Sequence, residues 1–487
     1  MLRSFYVNAA RYSYSTTPLQ RVPKIPDAEI SPKKVNLDYD HHLRIREKHL
    51  NPAIFTLYKK PVLITQGNKQ YLWDHTGKQY IDLTASVSTI SVGHCHPKVS
   101  KHLKEAVDTL WHCTNMHMHP NMTRLLEKLT SKLPKHLDTI YLVNCGTEAV
   151  EMALSLARLY TGAWEYLTLN NAYHGISNAN LGMLGMGHWK PQIPNGFGIT
   201  SVMNPDVYRG MWGGKNCRDG PAQTVRDCNC ADGECMASEN YLGVLDETFR
   251  HSLPPKIAGM MIEPIQGSGG GVHIPRGYMK GAFEMTRKRG GLCISDEVQT
   301  GFGRLGSHYW GFEYQGVMPD IVVTAKGMGS GFPIAAVITT KEIASCLART
   351  LHFNTFGGNA LSCAVASATL DVIDEENMQA HVHEVGNYLI SGLLKLRERY
   401  EFLGDVRGIG FMVSIELATD KKSRNTFPAD NLAKIMEDLR DMGVLVAKGG
   451  MYGALRLKPP FPATKQDMDF VLEVFDIAFN NHLHKKK

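Results

Sequence analysis

Ile321-Val322-Val323-Thr324-Ala325-Lys326-Gly327-Met328-Gly329-Ser330-Gly331 is the stretch on which the fold and the chemistry turn. The apolar run before the lysine has the length of a short buried strand. The glycines after it mark a loop where backbone comes close to another group. Lys326 therefore sits at the C-terminal end of a strand rather than on an obvious solvated face. Burial disfavours an ammonium and leaves the nucleophilic amine, the form that condenses with an aldehyde.

Thirty residues upstream, Gly291-Leu292-Cys293-Ile294-Ser295 is a second apolar run, ending in Asp296-Glu297. That spacing predicts one βαβ unit, with both candidate residues at strand C-termini, where open α/β sheets bind ligands. Asp296 has the chemistry to hold a pyridinium proton; taken by itself it reads first as a helix N-cap. Further upstream, Thr139-Ile140-Tyr141-Leu142-Val143 reads as a strand and Asn144-Cys145-Gly146-Thr147 as a turn. A helix should follow, with Ala149, Ala153, Leu156, Ala157 and Tyr160 on one face. Its free N–H groups make an anion site, Gly146 allows close approach and Thr147 adds a hydroxyl.

Together these motifs resemble the class III (subgroup II) aminotransferases. The densest match is Asp296-Glu297-Val298-Gln299-Thr300-Gly301-Phe302-Gly303-Arg304, followed by Lys326-Gly327 and preceded by Glu263-Pro264-Ile265-Gln266-Gly267. Ser91-Val92-Gly93-His94-Cys95-His96-Pro97, a Cys-bearing insertion at 211–235 and Phe353-Asn354-Thr355-Phe356-Gly357-Gly358-Asn359 narrow the resemblance, which runs from about Asn51 to the C-terminus. It implies pyridoxal 5′-phosphate (PLP) as cofactor, with Lys326 as its covalent anchor and proton shuttle, and Asp296 paired with the pyridine nitrogen. Gly146 and Thr147 would bind the phosphate, Tyr173 would stack on the ring, and Gln299 would bond the phenolic oxygen. His174 and Glu263 fall among the cofactor-binding residues. Thr355 would complete the phosphate site of a neighbouring subunit, implying a homodimer at least, with a homotetramer left open. One departure is Cys145, where the family has a Ser; a thiol bonds more weakly, but backbone donors still hold a phosphate.

Arg456, in Leu455-Arg456-Leu457-Lys458-Pro459-Pro460, matches the arginine that meets a substrate carboxylate in much of the family. A guanidinium grips a carboxylate with two parallel bonds. In members that handle ω-amino groups, a glutamate five residues after the Glu263 position can neutralise that arginine; here the position is Ser268. The expectation is a site for small α-amino and α-keto acids. The resemblance implies ping-pong transfer from L-alanine to glyoxylate, giving pyruvate and glycine, with β-aminoisobutyrate and methylated arginines as further donors. The alternatives are a PLP-dependent lyase of the phospholyase type and a non-catalytic scaffold.

The expected fold class is α/β, PLP-dependent transferase fold type I: a large domain with a mostly parallel sheet, and a smaller α+β domain from both chain ends. The expected boundaries are a mitochondrial transit peptide at 1–26, the N-terminal part of the small domain at 27–90, the large PLP-binding domain at 91–365, and the C-terminal part of the small domain at 366–487. The leader carries Arg3, Arg11, Arg21 and Lys24 with no acid before Asp27, the composition of an import signal to the mitochondrial matrix. A net charge of +6 spread over 487 residues gives no nucleic-acid patch, and no run is apolar enough for a membrane span. Cys217, Cys228, Cys230 and Cys235 lack the paired C-x-x-C spacing of zinc modules and read as a reduced or redox-responsive surface loop, so no metal is expected. His94, Cys95 and His96 read as packing residues of a family loop.

Overall fold

The computed structural model describes residues 22–192, 197–214, 230–231, 233–348, 350 and 352–484. Most of the leader (1–21), together with Cys217 and Cys228, lies outside them.

Seven strands form the central sheet, in the spatial order Thr139–Val143, Ala335–Thr339, Ile321–Thr324, Leu292–Asp296, Gly259–Ile262, Tyr166–Leu169, Ile199–Val202. Ala335–Thr339 runs antiparallel to both of its neighbours, and every other pairing is parallel. The five inner strands are buried along their whole length and mostly apolar, because both faces are covered. Met260 and Ile262 pack with Tyr241, Leu245 and Phe283 from helices Met236–His251 and Tyr278–Lys288. Met261, Ile294 and Val323 point the other way, onto Ala149, Ala153 and Leu156 of helix Gly146–Thr161. Tyr160 departs from the expected apolar face: its ring is exposed and its hydroxyl donates to Glu342 Oε1 at 2.5 Å.

Both chain ends build the smaller part. Strand Tyr71–Asp74 turns through His75–Lys78 into Gln79–Asp82, and Val444–Leu445 adds to that strand in parallel. A separate antiparallel sheet orders Leu403–Ile409, Met412–Leu417, Ala454–Leu457 and Ala447–Gly449.

Two further sequence readings need correction. The apolar run Val444-Leu445-Val446-Ala447 reads in the sequence as one strand and is two, in different sheets. The break is at Val446, whose N–H donates to the buried Tyr58 hydroxyl at 3.0 Å, while that hydroxyl donates back to the Val446 carbonyl at 3.1 Å. A side chain 388 residues away thus takes both backbone groups that a strand would have used. The crossover from Asp296 to Ile321 is parallel as expected, but its only helix is the short Gly311–Tyr314. Glu297 organises the rest, accepting from Ser295 Oγ, Thr300 Oγ1, Gly311 N and Phe312 N.

Candidate active site

Asp296 ends its strand at the C-terminal edge of the sheet, buried, in register with Val323. Lys326 follows the neighbouring strand after Thr324 and Ala325. Its backbone is left-handed (φ 44°), a strained conformation for a lysine that turns the chain sharply out of the sheet. The surroundings desolvate the Lys326 ammonium and bring it down to about 8; nearby Arg456 and Arg304 push the same way, and Asp296 and Glu263 oppose them.

Asp296 Oδ2 faces His174 Nδ1 at 2.6 Å, and Oδ1 accepts from Val298 N at 3.0 Å. Burial works against the charged imidazole, but the Asp296 carboxylate and Glu263 raise His174 above the ordinary histidine range. His174 Nε2 is buried with no partner among the described residues. Glu263 accepts from Tyr173 N and Gly267 N at 3.0 and 2.9 Å, so one carboxylate fixes both the 173–175 turn and the 267 turn. Its burial raises its pKa. Tyr173 is half-buried and meets Trp189 edge to face, with ring centroids 5.7 Å apart.

Helix Gly146–Thr161 begins behind Cys145, which supplies no side-chain cap, so the first N–H groups are left for another acceptor. Thr147 lies against Gly175, where a Cβ would come within 2.5 Å of Thr147 Oγ1. Gly175 also has φ 95°, so only glycine lets this turn approach the cup. Thr355 is exposed; beside it Asn354 Oδ1 accepts from Asn144 Nδ2 at 2.9 Å, tying that loop to the start of the cup.

Gln299 is buried, with Nε2 donating to Ser268 Oγ at 3.1 Å and Oε1 accepting from Lys458 Nζ at 2.6 Å. Arg456 is buried on strand Ala454–Leu457 and reaches only the Gly267 carbonyl, at 3.4 Å from Nη1. Its Nε has no partner, and its one bond among the described residues is to a carbonyl, not a carboxylate. Desolvation draws it down to about 10, with Glu263 opposing.

The sequence reading passed over Lys458. It is buried and sits two residues beyond Arg456, so the period of a strand puts both on one side; that spacing was the available signal. No metal-holding group of His, Cys, Asp and Glu occurs among the described residues. His94 Nε2 instead bonds Asp82 Oδ2 at 2.9 Å, and His96 Nε2 faces Glu376 Oε1 at 3.0 Å.

The family model for class III aminotransferases matches residues 56–479. The chain belongs to the class III aminotransferases. It is similar to mitochondrial alanine–glyoxylate aminotransferase 2 of Homo sapiens, 44% identical over 483 residues that cover 99% of this chain and 94% of the relative. Among solved structures it resembles an Arthrobacter phospholyase in complex with phosphoethanolamine (29% identity, 90% of this chain and 99% of that one, TM-score 0.81). It also resembles an amine transaminase from an uncultivated Pseudomonas species in its PLP-bound form (27% identity, 89% and 98%, TM-score 0.80).

Membership in the class III aminotransferases makes this an enzyme acting on amino and keto acids and implies PLP. The residues present fit that group. An uncapped helix start suits the phosphate. Asp296 retains lone pairs for a further donor, Gln299 Nε2 retains an N–H beyond the one given to Ser268, and Lys326 offers an amine beside Asp296.

Proposed function

We propose that this aminotransferase moves the amino group of L-alanine to glyoxylate, giving pyruvate and glycine by a ping-pong route. The observation that carries this reading is the state of Arg456. It is buried beside the Lys326 loop with no carboxylate bonded to its guanidinium among the described residues, and Ser268, at the position where some family members have a gating glutamate, is engaged with Gln299. A free buried guanidinium suits an α-carboxylate, and the human relative carries alanine and glyoxylate in its name. β-Aminoisobutyrate and methylated arginines are the further donors of this reading.

PLP, when bound, supplies an aldehyde for the amine and a ring that draws electrons from the substrate's α-carbon. Gly146, Thr147 and the Thr355 of a second subunit would hold its phosphate, Tyr173 would cover its ring, and Gln299 would donate to its phenolic oxygen. Asp296, oriented by His174, would keep a proton on the pyridine nitrogen. Lys326 Nζ, displaced by the substrate amine, would carry the proton from Cα to the cofactor carbon. Arg456 would hold the carboxylate so that Cα faces Lys326. Exposed Phe353 and Phe356 flank Thr355, and Trp111, Met116 and Met118 are exposed nearby, where His112 meets the Phe356 ring. This supports a homodimer at least.

The relatives' mitochondrial names, with the basic, acid-free leader, support import to the matrix and processing within 1–26. A fusion of residues 1–30 to a fluorescent protein should enter mitochondria.

The test is a donor and acceptor panel on purified protein. Alanine with glyoxylate should lead, with β-aminoisobutyrate and methylated arginines slower. The likeness to a phospholyase favours one other reading, elimination from an amino-alcohol phosphate. Release of inorganic phosphate from phosphoethanolamine, with no glycine formed from alanine and glyoxylate, would establish it instead.

A further inference from the structure

Lys458 is a buried lysine that transamination leaves without work. Around it stand Arg456, Lys326 and Arg304, with Glu263 as the counter-charge, and the crowding holds its pKa well below that of an ordinary lysine, burial being the larger cause. Such a group costs stability, so its bonds show what it provides. It makes two: to Gln299 Oε1 at 2.6 Å and to the Gly267 carbonyl at 3.3 Å. Gly267 is itself fixed by Glu263 through its N–H, and it leaves room for Gln299, since a Cβ there would sit 2.4 Å from Gln299 Oε1.

A carboxamide has two ends of similar shape and opposite polarity, and only its partners decide which end faces which way. We propose that Lys458 is a positioning residue that fixes the flip of the Gln299 carboxamide, holding its oxygen inward so that its NH2 group is the end presented to the cofactor. The inference rests on the reading above, in which Gln299 meets the phenolic oxygen of PLP. Lys458 takes Oε1 on one side. Ser268 takes one N–H of Nε2 on the other, and the second N–H remains for the phenolic oxygen. Without Lys458 the amide is free to turn its carbonyl toward that oxygen, exchanging an attraction for a repulsion. The electron-rich form of the ring oxygen is then less stabilised, and the lysine-bound cofactor holds its proton to higher pH.

The experiment is a pH titration of the absorbance of the PLP-loaded protein for wild type, Lys458→Met, Gln299→Met and the double variant. Lys458→Met should move the midpoint up by about one pH unit, Gln299→Met should move it in the same direction, and the double variant should show no further shift. A wild-type midpoint in Lys458→Met overturns the proposal, and so do two shifts that add, because the lysine then acts on the cofactor without Gln299. Lys458→Gln, which ends one bond short of Gln299, should give the same upward shift and serves where Lys458→Met does not fold; an unchanged midpoint there is equally fatal. A wild-type protein with no cofactor band defeats the proposed function itself, whereas a normal wild-type titration with an unmoved Lys458→Met defeats this inference alone.

Discussion

Asp296 and His174 join two strand ends of the central sheet through a single bond of 2.6 Å, both side chains buried. The histidine follows Tyr166–Leu169 and the aspartate closes Leu292–Asp296, so one buried hydrogen bond ties the floor of the site together. Asp296→Asn keeps the shape and removes the charge that would hold the pyridine proton. Its kcat should fall by about 10²–10³-fold with a smaller change in KM. A kcat within a few fold of wild type would remove Asp296 from that role.

Lys326 should destabilise the cofactor-free protein, and the sign of its pH dependence is fixed. Its folded pKa, about 8, lies below that of an unfolded lysine, so between those values the unfolded chain binds the extra proton. Stability should therefore rise with pH through that window. At pH 7 the full penalty is present, and Lys326→Met should stabilise the cofactor-free protein by up to about 3 kcal/mol, a gain that shrinks toward pH 10. Urea unfolding of both proteins at the two pH values reads the difference. A gain that grows with pH contradicts the burial of this amine.

Arg456→Ala should raise KM for both alanine and glyoxylate by about 10–100-fold, the worth of one charge-assisted bond pair. Ser268→Glu should do the same by giving Arg456 the carboxylate it now lacks. Steady-state kinetics with both substrates checks the pair; an unchanged KM in Arg456→Ala removes it from the substrate site.

Tyr58→Phe should destabilise the fold by about 1–3 kcal/mol, because it orphans both the N–H and the C=O of Val446. Denaturant unfolding should show the loss.

These cases also show how far the sequence could be read. Lys326, Asp296 and Gly146 were legible because each follows or closes an apolar strand, a local pattern that burial on both faces enforces for the two inner strands. The split at Val446 was not legible, because its cause is Tyr58, distant in sequence and brought close only by the fold. The crossover after Asp296 looked like ordinary helical spacing, and Glu297, whose acceptors set the loop, carried no periodic signal. Lys458 was visible as Arg456's second neighbour, but its partner Gln299 lies on a different element and only the structure joins them.

The central claim is that Lys326 and Asp296 serve an alanine-to-glyoxylate transfer in two separable halves. The direct measurement is to mix PLP-loaded protein with L-alanine alone and follow pyruvate, then add glyoxylate and follow glycine. The prediction is a stoichiometric burst of pyruvate that stops, resumes as turnover once glyoxylate is present, and is absent in Lys326→Ala. Cofactor-loaded wild-type protein that yields no pyruvate from alanine, or a Lys326→Ala variant that turns over at the wild-type rate, would contradict it.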